Sequence, residues 1–118
     1  MSNLESIAMA YLETWNESES AARSQKLCMH WDEHARYIDP RVDVQGYEAL
    51  STLIQNVQEL FPEFRFKLAG RVDGYGPVVR FSWTFGPAAG PAPVEGSDVL
   101  LLRDGKITQV IGFIEKAP

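Results

Sequence analysis

This chain has almost no sulfur chemistry. Its 118 residues include one cysteine, Cys28. That thiol has no intrachain partner, so no disulfide supports the fold, and a reducing compartment, the cytoplasm, is the expected location. Positive charge is also scarce. Eleven Lys and Arg stand against sixteen Asp and Glu, leaving a net charge of -5. A chain of this sign lacks the basic face that nucleic acid demands, and no basic amphipathic stretch suits a membrane surface. No apolar run approaches the ~20 residues of a membrane span. The start, from Met1 to Ser6, shows neither the basic nor the apolar region of a secretory leader, so the glycosylation-like triplet Asn16-Glu17-Ser18 has no expected use. Repeats, low-complexity tracts and linkers are missing too.

What is present suffices for one compact domain, residues 1–118. Hydrophobic residues make up 45% and charged residues 23%, which supports a core and argues against disorder. Leu4, Ile7, Ala8, Tyr11, Leu12 and Trp15 recur at three- and four-residue steps and predict a first amphipathic helix. Ser20 is placed to cap a second, from Ala21 to about Trp31, with a thin stripe of Leu27, Cys28 and Trp31. Residues Ala35 to Asp39 read as a short strand that Pro40 ends. Gly46 opens a third helix, Tyr47 to Phe61, which Pro62 stops.

From Pro62 onward the period changes to two. Phe64, Phe66, Leu68 and Val72 alternate with basic residues, and Asp73-Gly74-Tyr75-Gly76-Pro77 is a turn cluster. Val79, Phe81, Trp83 and Phe85 alternate with Arg80, Ser82 and Thr84. Gly86 to Pro93 reads as a loop. Val94–Leu102 and Lys106–Ile114 form a hairpin about Asp104-Gly105. Helices at the front and strands at the back mean an α+β fold. The expected shape is a cone-like α+β barrel: a strongly curved, mostly antiparallel sheet, covered on one face by three N-terminal helices and enclosing a cavity.

Three residues carry the candidate chemistry. Asp98 lies in a strand just before four apolar residues, where an ionised carboxylate is costly. It is either a buried, protonated donor or a solvent-facing or hydrogen-bonded structural carboxylate. Asp39, at a strand end, suits a general base, or merely a turn whose backbone amides it binds. Tyr11 points its ring inward and needs a partner for its hydroxyl, which a ligand or a neighbouring carboxyl could supply. Other motifs carry less. His30 and His34 lack a third ligand, so no metal is expected. Gly74-Tyr75-Gly76 lacks the rest of a dinucleotide loop. Cys28 is expected in the core. Trp31, Trp83 and the phenylalanines belong first to the core and second to the cavity wall.

Three local patterns support a family resemblance that runs from about residue 4 to 115. They are Tyr37-Ile38-Asp39-Pro40 followed by Val44 to Leu50; Val79-Arg80-Phe81-Ser82-Trp83; and Gly96-Ser97-Asp98-Val99 continuing through Arg103-Asp104-Gly105-Lys106-Ile107 to Gly112-Phe113. With the element order, they make the chain resemble the nuclear-transport-factor-2-like superfamily, in particular its SnoaL-like and ketosteroid-isomerase-like members. The resemblance implies a catalytic trio. Asp39 matches the family's proton-shuttling base, Tyr11 its oxyanion tyrosine, and Asp98 its protonated oxyanion carboxyl, the residue by which the general logic of a neutral buried acid is usually illustrated. Trp31 and Ile54 stand where the isomerase's supporting tyrosines are expected. With Phe81, Trp83 and Phe113 they are the expected substrate-binding residues. An epoxide-hydrolase likeness is weaker, because the Arg-x-Asp it wants is Arg80-Phe81-Ser82 here.

Two functions stay open at this stage. One is an enzyme without metal or cofactor that removes a proton next to a carbonyl in a small apolar or cyclic ligand, giving isomerisation or aldol-type ring closure. The other is a non-catalytic ligand-binding or interaction module. A homodimer through the outer sheet face is expected in either case.

Overall fold

The computed structural model describes residues 3–118. Helix α1 (Asn3–Asn16) buries Ala8, Tyr11, Leu12, Thr14 and Trp15 along the face set by their spacing. Helix α2 (Ser20–His30) follows after a tight turn. Helix α3 (Tyr47–Leu60) turns Leu50 and Ile54 fully into the core. Arg23 ties these three together. Its buried guanidinium donates to the Glu17 carbonyl, to Ser51 Oγ and to Gln55 Oε1, so a charge that burial would penalise is supplied with acceptors.

Six strands complete the chain: β1 (Trp31–Ile38), β2 (Asp43–Gln45), β3 (Phe64–Tyr75), β4 (Val78–Pro87), β5 (Val94–Arg103) and β6 (Lys106–Lys116). They form one curved, unclosed sheet in the order β2-β1-β6-β5-β4-β3, with β2 and β3 as its edges. Every pairing is antiparallel except β1 with β6. Those two strands lie far apart in sequence, so no hairpin dictates their direction. All three helices pack against the sheet, α1 on β3 and β4, α2 on β1 and β6, and α3 on β1 and β2.

Several local expectations need correction. Trp31 does not end the second helix. It is extended, with φ -120° and ψ 148°, and opens β1 opposite Ile107; sheet pairing and full burial of the indole outweigh a thin helical stripe. Glu19, not Ser20, is the N-cap, and no side chain closes that cap. Cys28 is exposed rather than in the core. Strand β2 has too little pattern to be read from three residues. The turn cluster shrinks to Gly76-Pro77, and β3 reaches Tyr75 through a register shift between Ala69 and Asp73. Strand β4 continues to Pro87, which pairs with Phe64 on the edge strand. Among the described residues no helix is long and apolar enough to cross a membrane.

Candidate active site

The alternation of side chains along each strand decides what faces inward. On β5 the inward residues include Gly96, Asp98 and Leu100. Their partners in register are Trp83, Phe81 and Val79 on β4, and Ile114, Gly112 and Val110 on β6. Asp98 is therefore held on a central strand against Phe81, and only 3% of it is exposed. From α1, the Tyr11 hydroxyl donates to Asp98 Oδ2 at 2.5 Å, the short separation of an O–H bound to a carboxylate. The tyrosine ring is clamped from behind, stacked on Trp31 at 5.4 Å and edge-on to Phe81 at 5.5 Å.

Burial pushes the Asp98 carboxyl up to about 6; the Tyr11 hydrogen bond and the nearby Trp83 indole pull it back, and the negative charge of Asp39 adds to the rise. Tyr11 is held well above the usual phenol range, first by burial and then by the charge of Asp98. It stays a donor at any physiological pH. Asp98 Oδ1 and the indole N–H groups of Trp15, Trp31 and Trp83 are buried and make no hydrogen bond among the described residues. The Trp83 N–H thus lies near enough to favour the ionised carboxylate without reaching hydrogen-bond geometry.

Asp39 follows the last residue of β1 and shares the inward face with Tyr37. The Tyr37 hydroxyl donates to Asp39 Oδ2 at 2.7 Å, while Oδ1 accepts the backbone N–H groups of Arg41 at 2.8 Å and Val42 at 3.1 Å. The turn role and the site role of this residue coexist: the backbone amides fix its position, and lone pairs remain for chemistry. Burial first, then the charges of Asp98 and Asp39, drive the Tyr37 phenol up, out of the physiological range.

Gly112 brings the two acids together. A Cβ there would stand 2.9 Å from Asp98 Oδ1, 3.3 Å from Asp39 Cβ and 3.5 Å from the Tyr37 hydroxyl. A glycine at this register position leaves the space into which both carboxyls project. Gly96 does the same for Trp83, whose Cζ2 would lie 2.3 Å from a Cβ at 96.

These groups sit on a cavity of about 530 Å³, within the range of small-molecule sites. Tyr11, Tyr37, Asp39 and Asp98 all line it; Trp15, Leu53, Val57, Phe61, Phe64, Phe66, Trp83 and Phe85 supply most of its apolar wall. The three candidate catalytic residues, 87 positions apart at the extremes, therefore meet on one cavity. Of the five expected binding residues, Trp83 alone lines it. Trp31, Ile54 and Phe81 are fully or almost fully buried in the core; Trp31 and Phe81 back Tyr11 instead, and the cavity face of α3 carries Leu53, Asn56, Val57 and Leu60 rather than Ile54. Phe113 is 53% exposed, because it alternates with the inward Gly112 and Ile114 and lies on the outer face.

Sequence reasoning missed Trp15 and Tyr37 as site residues. Tyr37 stands in the same inward register as Asp39, and that two-residue step was the signal available. His30 ends α2 and His34 lies on β1. Among the described residues no cluster of three or more His, Cys, Asp or Glu could hold a metal ion.

Comparison with known proteins bears on the family and the fold. The profile of the SnoaL-like domain matches residues 8–110. The crystal structure of a provisionally named isomerase of the SnoaL-like family from Agrobacterium tumefaciens is 35% identical, with a TM-score of 0.92 over 98% of this chain and 99% of that one. A provisionally named ketosteroid isomerase from Kribbella flavida shares 18% identity and a TM-score of 0.72, covering 98% of this chain and 79% of that one. A provisionally named polyketide cyclase from Sinorhizobium meliloti shares 14% and 0.72, covering 91% and 93%. At such identities these last two speak for the fold alone. A comparison with curated proteins finds no match.

Proposed function

Starting from a chain that belongs to the SnoaL-like domain family, we propose that it is an enzyme that removes a proton from the carbon next to a carbonyl in a small apolar or cyclic substrate. The observation that carries this reading is the Tyr11–Asp98 hydrogen bond in a largely apolar cavity, with Asp39 on the same wall.

The chemistry follows from the environment of each group. Asp39, ionised and fixed by backbone amides, accepts the proton from the substrate carbon. The electron pair left behind moves onto the carbonyl oxygen as an enolate. Asp98, when protonated, and Tyr11 supply hydrogen bonds where that charge develops. Asp39 then returns the proton to another carbon, which shifts a double bond. In the alternative outcome the enolate carbon attacks a second carbonyl of the same molecule and closes a ring, and Asp39 protonates the new alkoxide. Substrate in the cavity excludes water and brings negative charge beside Asp98, and both effects favour its protonated form.

The test is Asp39→Asn. Turnover of an activated cyclic ketone is expected to fall by roughly 10³-fold or more while binding of the ketone holds, as measured by kcat and by a separate binding titration. Turnover retained in this variant would remove Asp39 from the role and favour a non-catalytic binding module.

The partner is a second copy of the chain. We propose that the sheet face away from the helices pairs with itself. Ile38, Ile111 and Val99 lie side by side across three strands there, with Phe113 beside them. Phe113, 53% exposed, is a large apolar group that a partner would cover.

A further inference from the structure

Two buried indoles stand beside the Tyr11–Asp98 pair with nothing to bind. Trp15 and Trp83 are 6% and 5% exposed. Both line the main cavity, and neither Nε1 has a hydrogen-bond acceptor among the described residues. Asp98 Oδ1, on the same cavity, is unpartnered as well. A buried donor without an acceptor has given up its hydration for no return, and folded chains keep few of them. We infer that the indole N–H groups of Trp15 and Trp83 donate hydrogen bonds to the substrate oxygen that Tyr11 and Asp98 address. The inference rests on the proposed function in taking that oxygen to be the reacting carbonyl.

Each indole stands close to one member of the pair. Burial and then the charge of Asp98 hold the Tyr11 phenol up, and the Trp15 N–H lies near enough to pull the other way. Burial drives the Asp98 carboxyl up, and the Trp83 N–H, after the Tyr11 hydrogen bond, pulls against that rise. Neither N–H completes a hydrogen bond to the pair, so both remain for an acceptor seated beside it. The Tyr11 proton differs. It is already engaged with Asp98 Oδ2 at 2.5 Å and must leave that acceptor to reach a substrate oxygen. The indole protons give up no bond.

These donors are also fixed in place. Phe66 lies between the two indoles, 5.4 Å from Trp15 and 5.2 Å from Trp83. The Tyr37 ring stands 5.3 Å from Trp15 on another side. Trp83 occupies the space over Gly96, where a Cβ would meet its Cζ2 at 2.3 Å. Donors held this way strengthen as charge grows on the oxygen, with no reorganisation at that moment. An indole N–H donates and cannot accept. The buried end of the ligand is therefore a bare acceptor, the oxygen of a ketone or of its enolate.

The test is heteronuclear NMR of the whole chain, with its indole nitrogens labelled, against the cyclic ketone indanone and against indane, the same ring system without the oxygen. The chain has three tryptophans. Trp15→Phe and Trp83→Phe each delete one indole resonance and so assign it. Trp31, stacked on Tyr11 at 5.4 Å and off the cavity, is the internal reference. Relative to indane, indanone is expected to move the Trp15 and Trp83 indole protons downfield and to leave that of Trp31 in place. Each Phe variant keeps the ring and loses the N–H. Each is expected to lower the indanone-to-indane affinity ratio about three- to tenfold, the net strength of one hydrogen bond. Should a variant fail to fold, the unsubstituted chain, its indoles assigned by sequential connectivities, decides alone. Bound indanone that moves none of the indoles, or all three alike, overturns the inference and leaves the proposed proton chemistry intact. A Trp83 resonance that follows the titration of Asp98 and ignores indanone overturns it too, and makes that indole a brace for the acid. Failure of indanone to bind overturns this inference together with the proposed substrate class. Turnover retained in Asp39→Asn strikes the proposed function and leaves these donors standing, since no turnover is read here.

Discussion

Asp98 carries an energetic burden that its neighbours lighten without removing. A carboxyl raised from 3.8 to about 6 binds its proton more tightly in the folded chain than in the unfolded one. Its contribution to stability is therefore fully present below the unfolded value and is lost as pH rises through about 6. The span corresponds to about 3 kcal/mol lost from acid to neutral pH. Asn at this position still accepts the Tyr11 hydrogen bond and carries no charge. Asp98→Asn is thus expected to melt above the unsubstituted chain at pH 8, with the gap closing toward pH 4, as thermal unfolding across pH will measure. A gap that does not vary with pH would contradict the buried-acid assignment. The same proton sets an alkaline limb on activity. With Asp98 as donor, kcat/KM is expected to fall above about pH 6, and this limb is expected to vanish in Asp98→Asn at a lower overall rate.

Two strands are shaped by what their glycines omit. Gly112 on β6 faces Asp98 on β5 in register, and the missing side chain is the room that Asp98, Asp39 and Tyr37 share. Gly112→Ala places a methyl 2.9 Å from Asp98 Oδ1 and 3.3 Å from Asp39 Cβ. Asp39 is tied to backbone amides and cannot yield much, so the Asp98 carboxyl must turn away from its Tyr11 bond. Overpacking of this kind costs about 1–3 kcal/mol. The expected result is a kcat lowered by roughly tenfold or more, with a folded protein by circular dichroism. Full activity in the alanine variant would show that the two acids do not need this spacing. The β1 element adds a second lesson. Trp31, Tyr37 and Asp39 take their places because β1 lies parallel beside β6, a pairing between segments near opposite ends of the chain.

At the scale of the molecule, the helices cover one face of the sheet and leave the other free. On that face Phe113, Ile111 and Val99 form an apolar band flanked by Ser97 and Gln109. The proposed dimer buries this band; a stable interface needs on the order of 1,200 Å² in total. Sedimentation of the chain at micromolar concentration is expected to give twice 13.2 kDa, and Phe113→Glu to give the monomer, because two like charges would meet across the two-fold axis. A monomer before substitution would overturn the dimer, and a dimer after it would assign the interface elsewhere.

The amino-acid sequence by itself determined the three helices, the four long strands and the α+β class. Each depends on a local period, 3.6 or 2, and on breakers such as Pro62 that act on their own neighbours. It also marked Tyr11, by its place on the first helical stripe, and Asp39 and Asp98, through short patterns whose residues lie close together in the chain; their joint role came from the family resemblance. Only the tertiary structure decided which side chains form the cavity wall. Ile54 and Leu53 are neighbours on one helix, yet one enters the core and the other the cavity. Likewise Trp31 looked like part of a helical stripe and became a strand, because its pairing with Ile107 is non-local. Periodicity reports that a face is covered; what covers it depends on contacts between distant segments, and those exist only once the chain has folded.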